Sequence, residues 1–263
     1  MSADRNEAFL RTEMILGPAA LDKLRRSHVA VFGLGGVGSY AAECLARSGV
    51  GALTLVDQDT VSVTNINRQL CALHSTVGQY KADVVAARCR DIDPDMQVYP
   101  LCATYDAAHR EDFFLHDYDY IVDCIDLVSC KLDLIQQAHL RRIPILTALG
   151  TGNKLDPTQL RLADISETYG CPLARVMRKE LRSKLGIYHL RVVFSPEQPH
   201  ETQQLEAPPP GRRSRHGGAA DGQRGGAGPY HRKGSDSMTL SGAKSRPSGN
   251  AGGPLHSVKY PYL

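Results

Sequence analysis

His28-Val29-Ala30-Val31-Phe32-Gly33-Leu34-Gly35-Gly36-Val37-Gly38 is the stretch on which the reading of this chain turns. His28 to Phe32 is short and almost wholly apolar, the signature of a strand buried on both faces. A glycine-rich turn comes next, and Gly38 to Ser48 carries a helical pattern of good helix formers. In such a strand–turn–helix unit the glycines let the backbone turn tightly and approach a phosphate. The helix N-terminus adds free N–H groups and the positive end of its dipole. Dehydrogenases carry the same motif, so it fixes a phosphate-binding unit and not yet a reaction.

Working outward, Ala52 to Val56 reads as the next strand, Gly78 to Ile92 as a helix and Gln97 to Leu101 as a third strand. Tyr120 to Cys124 and Pro144 to Leu149 are further short apolar strands, with a helix over Ser129 to Arg141 between them. Strands alternating with helices predict an α/β fold with a Rossmann-like, doubly wound and mostly parallel sheet. Such sheets bind ligands beyond the carboxyl ends of their strands.

The 263 residues are 42% apolar, enough for one sizeable core, and the net charge of +3 neither demands nor excludes an RNA partner. The seven cysteines form no C-x-x-C pair, and several lie in apolar runs, which suits a reduced compartment better than a disulfide framework. Met1 to Gly17 mixes charges with scattered apolar residues and has no signal-peptide core. No apolar run approaches a membrane span. The expectation is a cytoplasmic protein with no membrane association.

Asp57, at the end of the second strand, is placed to accept a ribose hydroxyl. Asp57-Gln58-Asp59 then leads into Asn65-Ile66-Asn67-Arg68-Gln69, Lys81 opens the next helix, and Asp123-Cys124-Ile125-Asp126 closes a later strand. Arg68 and Lys81 are suited to neutralise a triphosphate, and Asp59 and Asp126 to hold Mg²⁺ beside it. Phosphoryl and nucleotidyl transfer require that combination of cations with metal-binding carboxylates. A nicotinamide-dependent oxidoreductase leaves Arg68, Lys81 and Asp126 without a task.

Gly33 to Ser39, Asp57 to Asp59, Asn65 to Gln69, Lys81 and Asp126 together resemble the E1-like superfamily, whose members adenylate carboxylates. Within it the sequence from Glu7 to Pro196 is most similar to the tRNA threonylcarbamoyladenosine dehydratase branch. The branch-level features are Arg11-Thr12-Glu13, Leu16-Gly17, Lys131, Gly150-Thr151-Gly152-Asn153-Lys154-Leu155-Asp156-Pro157, Cys171-Pro172-Leu173-Ala174-Arg175 and Val192 to Ser195. The resemblance implies an E1-like adenylation domain in which Gly33, Gly35, Gly36 and Gly38 frame the phosphates of ATP and Asp57 holds the ribose. Asp59, Asn65, Asn67, Arg68, Gln69 and Lys81 complete the implied nucleotide set, and Asp126 is the implied Mg²⁺ ligand. Arg11 matches an arginine that reaches into a partner subunit's site, which implies a homodimer. The implied substrate is tRNA carrying threonylcarbamoyladenosine at position 37, cyclised with net loss of water. A monovalent cation and a cysteine desulfurase or sulfur-acceptor partner stay open.

The alternative within the superfamily is an adenylyltransferase for the C-terminus of a ubiquitin-like sulfur carrier. Those enzymes hold a structural zinc through two C-x-x-C pairs, whereas here Cys171 is followed at the second position by Ala174, so no zinc is expected. Arg175, Arg178, Lys179, Arg182 and Lys184, with Arg191 beyond, fall on a predicted amphipathic helix. They form either a salt-sensitive RNA surface or a solvated face.

Two units are expected: residues 1–199 as the ATP-binding adenylation domain, and residues 200–263 as a low-complexity tail. The tail holds about half of the chain's glycines, in runs such as Pro208-Pro209-Pro210-Gly211 that bury little apolar surface. It reads either as a natural disordered segment or as the product of a frameshift. Translating the other two reading frames beyond codon 199 separates the two: a frame with no apolar Gly/Ser/Pro-containing continuation rules out the frameshift.

Overall fold

The computed structural model describes residues 7–201. From residue 202 on, the predicted tail lies outside the described residues. Among the described residues seven strands form one sheet: β1 (His28–Phe32), β2 (Ala52–Val56), β3 (Gln97–Leu101), β4 (Tyr120–Asp123), β5 (Ile145–Ala148), β6 (Arg161–Asp164) and β7 (Arg191–Phe194). Their spatial order is β3-β2-β1-β4-β5-β7-β6. All neighbours are parallel except β6 and β7, which run antiparallel with Ala163 opposite Val192. The chain winds outward from β1 in one direction and then from β4 in the other, so the crevice for a ligand opens where these two strands meet.

The helices are α1 (Leu10–Leu16), α2 (Pro18–Arg26), α3 (Gly38–Arg47), α4 (Lys81–Ile92), α5 (Val128–Leu140) and α6 (Pro172–Glu180). β1 is buried on both faces, as its sequence demands. Val29 and Val31 pack with Ala42 and Ala46 of α3 and Val85 and Cys89 of α4. Ala30 and Phe32 face the other way, against Phe113, Tyr105 and Leu134 of α5. A third cluster joins Met177 of α6 to Val192 and Phe194 of β7. A period of two thus feeds two separate cores from one strand.

The predicted strands fall within a residue of those observed at each end, Pro144 to Leu149 being trimmed to Ile145–Ala148. The predicted helix at Gly78 begins instead at Lys81. Gly78 has φ +88° and Tyr80 is extended, so the backbone cannot be helical before Lys81. α1, α2, β6 and β7 are not among the elements read from the sequence. β6 is four residues long with Arg161 and Leu162 exposed, so no alternation of buried and exposed positions marks it. Among the described residues no helix is long and apolar enough to cross a membrane.

Candidate active site

β1 ends at Phe32, and Gly33 turns the chain with φ +85°. Its N–H donates to the Val56 carbonyl at 2.8 Å, which ties the loop to β2. A Cβ at Gly33 would lie 2.6 Å from the Cys124 carbonyl oxygen, so the loop after β1 and the loop after β4 are packed flush. Gly38 opens α3, where a Cβ would sit 1.8 Å from the Gly33 oxygen. Gly35 differs: the nearest atom to a Cβ there is Gln69 Nε2 at 3.8 Å. Gly38 is therefore demanded by helix packing, whereas the space over Gly35 is open.

Buried Ser39 couples this loop to the next one. Its hydroxyl donates to the Gly35 carbonyl at 2.6 Å and accepts the Leu70 N–H at 3.3 Å. The Asn65–Gln69 turn is built locally: the Asn65 side-chain oxygen accepts the Ser62 N–H at 3.0 Å, completing a reciprocal cap. Arg68 is exposed and donates to the Thr64 carbonyl and to Asn67 Oδ1, each at 3.0 Å. Gln69 is buried beneath it. Asp57 accepts the Leu34 N–H at 2.7 Å and the Asp59 N–H at 2.8 Å, one on each carboxylate oxygen. Lys81 is 5% exposed, with its Nζ 2.7 Å from Asp59 Oδ2.

These elements converge on a cleft of about 750 Å³ at the β1/β4 switch. Gly33, Gly35, Gly36, Asp57, Asp59, Asn65, Arg68, Gln69, Lys81 and Asp126 all line it. Asn67 and Gly38 are not on its surface; Asn67 orients Arg68, and Gly38 packs α3 against Gly33. Arg11 lies exposed on α1 and does not line this cleft. Asp59, read with Asp126 as a Mg²⁺ ligand, pairs with Lys81 yet keeps 57% of its side chain exposed, so Asp59 and Asp126 both present a carboxylate to the cleft. One or two carboxylates fit Mg²⁺ in a nucleotide site, because that ion takes most of its ligands from phosphates and water.

Thr104 and Tyr105 after β3, and Thr151 to Lys154 after β5, also line the cleft. Residue chemistry alone did not single out the first pair, although their place past a strand's carboxyl end is the available signal. The 151–154 loop is pinned from outside. Lys154 Nζ donates to the Ser195 carbonyl at 2.6 Å, and the Glu197 carboxylate accepts the N–H groups of Leu155 and Asp156 at 2.9 and 3.1 Å. Burial pushes the Cys124 thiol up to about 12, with Asp123 adding to the effect, and raises the Cys130 thiol as well. Neither cleft cysteine is a thiolate nucleophile at neutral pH. Cys171 is buried at the start of α6, with its Sγ 3.9 Å from the Gly150 carbonyl.

The basic helix is corrected in one respect. Arg178 is a structural staple, donating to the Thr168 carbonyl and hydroxyl at 2.6 Å each, and not a free phosphate contact. Arg175, Lys179, Arg182 and Arg191 stay exposed, while Lys184 is paired with Glu180 at 2.6 Å.

The family model described as ThiF family matches residues 9–193. A tRNA threonylcarbamoyladenosine dehydratase of Bacillus subtilis is 46% identical over 191 residues, covering 73% of this chain and 75% of its own length. The crystal structure of the E. coli tRNA N6-threonylcarbamoyladenosine dehydratase in complex with ATP superposes with a TM-score of 0.73 at 38% identity. It covers 75% of this chain and 84% of that one. The same enzyme in complex with AMP gives 0.74, with 77% and 85% covered. A molybdopterin-synthase adenylyltransferase of E. coli is more distant, 31% identical over 150 residues and covering 57% of this chain and 60% of its own.

Proposed function

The chain belongs to the ThiF family, and from that premise we propose that it is an ATP-dependent tRNA threonylcarbamoyladenosine dehydratase. The observation that carries the reading is the coincidence of the phosphate-cradling cleft with similarity to dehydratases over most of the described chain. The substrate's carboxylate oxygen attacks the α-phosphorus of ATP and pyrophosphate leaves. A neighbouring nucleophile of the same substrate then attacks the acyl carbon, AMP leaves, and one water is lost overall. A carboxylate is a poor electrophile, and conversion to the acyl-adenylate removes that obstacle. The second step is intramolecular, so positioning supplies much of its acceleration.

The residues divide the work. The open backbone at Gly35 and the N-terminus of α3 receive the phosphates, and Asp57 holds the ribose. Arg68 and Lys81 offset the charge that develops as pyrophosphate departs, the role for which preorganised cations in a partly enclosed site are most effective. Asp126 would hold Mg²⁺, which would offset the negative charge of the phosphates. The reaction asks nothing of a cysteine.

Arg11 serves the site of a second copy. α1 leaves Leu10, Met14, Ile15 and Leu16 between 50% and 82% exposed, and an apolar patch of that kind calls for a covering surface. A cytoplasmic location is part of the same proposal and fits a tRNA substrate. A monovalent cation and a cysteine desulfurase or sulfur-acceptor partner belong to the resemblance, and no cleft residue is assigned to either. The sulfur-carrier adenylyltransferase is the second reading, favoured by shared ATP chemistry and disfavoured by the lower, shorter similarity.

The deciding measurement is ATP–pyrophosphate exchange with threonylcarbamoyladenosine tRNA added or withheld, with Arg68→Ala as control. Exchange that requires this tRNA and vanishes in the control is expected. Exchange driven instead by a carrier protein ending in Gly-Gly would transfer the assignment to the second reading.

A further inference from the structure

Beneath the cleft lies an ion pair that the nucleotide site does not use. Lys131, in the first turn of α5, and Asp123, the last residue of β4, both have side chains 0% exposed, and Lys131 Nζ stands 3.0 Å from Asp123 Oδ2. Burial pushes the Asp123 carboxyl up, and the Lys131 ammonium opposes that effect. The ammonium carries three N–H donors, and one of them serves the turn that follows Asp123. It donates to the Ile125 carbonyl at 2.8 Å. On the other side, Asp123 Oδ1 accepts the Ile125 N–H at 3.0 Å. Both polar groups of one residue's backbone are thus clamped by the two members of one buried pair. The preceding residue is fixed as well, since the Cys124 N–H donates to the Phe32 carbonyl at 2.7 Å. The next residue is Asp126, exposed on the cleft wall.

Stability alone does not account for such a pair. Desolvating two charges costs about as much as their attraction returns, and apolar residues of similar volume commonly do as well or better. What the pair supplies is a defined path at Ile125, in the middle of a turn otherwise held only at its ends, by the Cys124 N–H on the Phe32 carbonyl and the Leu127 carbonyl on the Lys131 N–H. That turn also abuts Gly33, so a displacement there would be felt by the phosphate loop.

We propose that the Asp123–Lys131 pair is a positioning device for Asp126, holding the 124–127 turn in the geometry in which Asp126 meets the Mg²⁺-bound phosphates before ligand arrives. The inference rests on the assignment of Asp126 given above. Lys131 touches no substrate in it and acts only through the turn.

The test uses the full chain and replaces both members, Asp123→Asn with Lys131→Met, so that no unpaired charge is left buried. Calorimetry would measure ATP affinity with Mg²⁺ and with EDTA. The expected result is a Tm within a few degrees of the parent, unchanged affinity in EDTA, and loss of at least about tenfold in the gain that Mg²⁺ confers. In an Asp126→Asn background the same double replacement should cost nothing further, because the two changes act on one contact. Full retention of the Mg²⁺-dependent gain, or additive losses, would overturn the proposal alone. A parent chain with no Mg²⁺-dependent gain would instead overturn the assignment of Asp126, and the proposal with it. Should the double variant fail to fold, amide exchange on the parent decides. The Ile125 N–H should be protected about a thousandfold or more relative to an open loop, and exchange at loop rates would refute the clamp.

Discussion

Replacing Gly35 and Gly38 singly by alanine separates two roles within one glycine motif. At Gly38 the new methyl would start 1.8 Å from the Gly33 oxygen, whereas Cβ atoms do not approach within 3.0 Å, so α3 must back away by more than about 1 Å. That movement drags Ala42 and Ala46 out of register with Val29 and Val31 in the core they share. Overpacking of this kind costs about 1–3 kcal/mol or somewhat more. A displacement of about 1 Å at a reacting centre lowers turnover about a hundredfold. At Gly35 the methyl meets nothing nearer than 3.8 Å and φ is not positive, so the fold should hold. Stability should even rise by about 0.4–1 kcal/mol through a less mobile unfolded chain. The same methyl projects into the space that the phosphates would fill. Losing one charge-assisted hydrogen bond there costs about 1.5–3 kcal/mol, roughly a ten- to hundredfold rise in the Kd for ATP. Urea unfolding and ATP titration of both variants provide the assay. Gly35→Ala with unchanged ATP affinity, or Gly38→Ala with unchanged stability, would refute the assignment of the two glycines.

Arg11→Ala and Arg68→Ala should each abolish turnover, and mixing the two after unfolding and refolding should restore about a quarter of the parent rate. Half of the randomly assorted dimers would carry one intact composite site of their two; no recovery would place Arg11 outside the partner's site. Arg178→Ala should destabilise the fold by about 1–3 kcal/mol, because it strips donors from Thr168. Arg175→Ala and Lys179→Ala should leave Tm alone and weaken tRNA binding more at low salt than at high; equal losses at both salt levels would exclude phosphate contacts. His28 is half-buried, and burial, then His116, lowers its pKa from 6.5, with Asp119 opposing. The unfolded state therefore binds more protons between the lowered value and 6.5, and stability should fall as pH drops through that window. His28→Gln should flatten the slope measured by urea unfolding at stepped pH, and an unchanged slope would assign the pH dependence to another group.

The sequence by itself determined the βα glycine unit, the parallel sheet and most of the residues that meet in the cleft. Each of these rests on a local requirement: a strand buried on two faces reads as continuous apolar residues, and a chain reversing over phosphate needs glycine. Arg68, Lys81 and Asp126 were legible as a set, since two cations with a carboxylate past a strand end suit phosphate chemistry although each alone has ordinary structural uses. Only the tertiary structure decided how those residues are committed. Asp59 turned out to be paired with Lys81, Arg178 to staple Thr168, and Gly38 to serve packing where Gly35 faces open space. It also brought Thr104, Tyr105 and Lys154 to the same cleft from loops far apart in sequence, and revealed the Asp123–Lys131 clamp under Ile125. A residue's type and spacing state what it is able to do. Which partner it meets depends on distances of a few ångströms between separate elements, and those exist only once the sheet has brought the ends of its strands together.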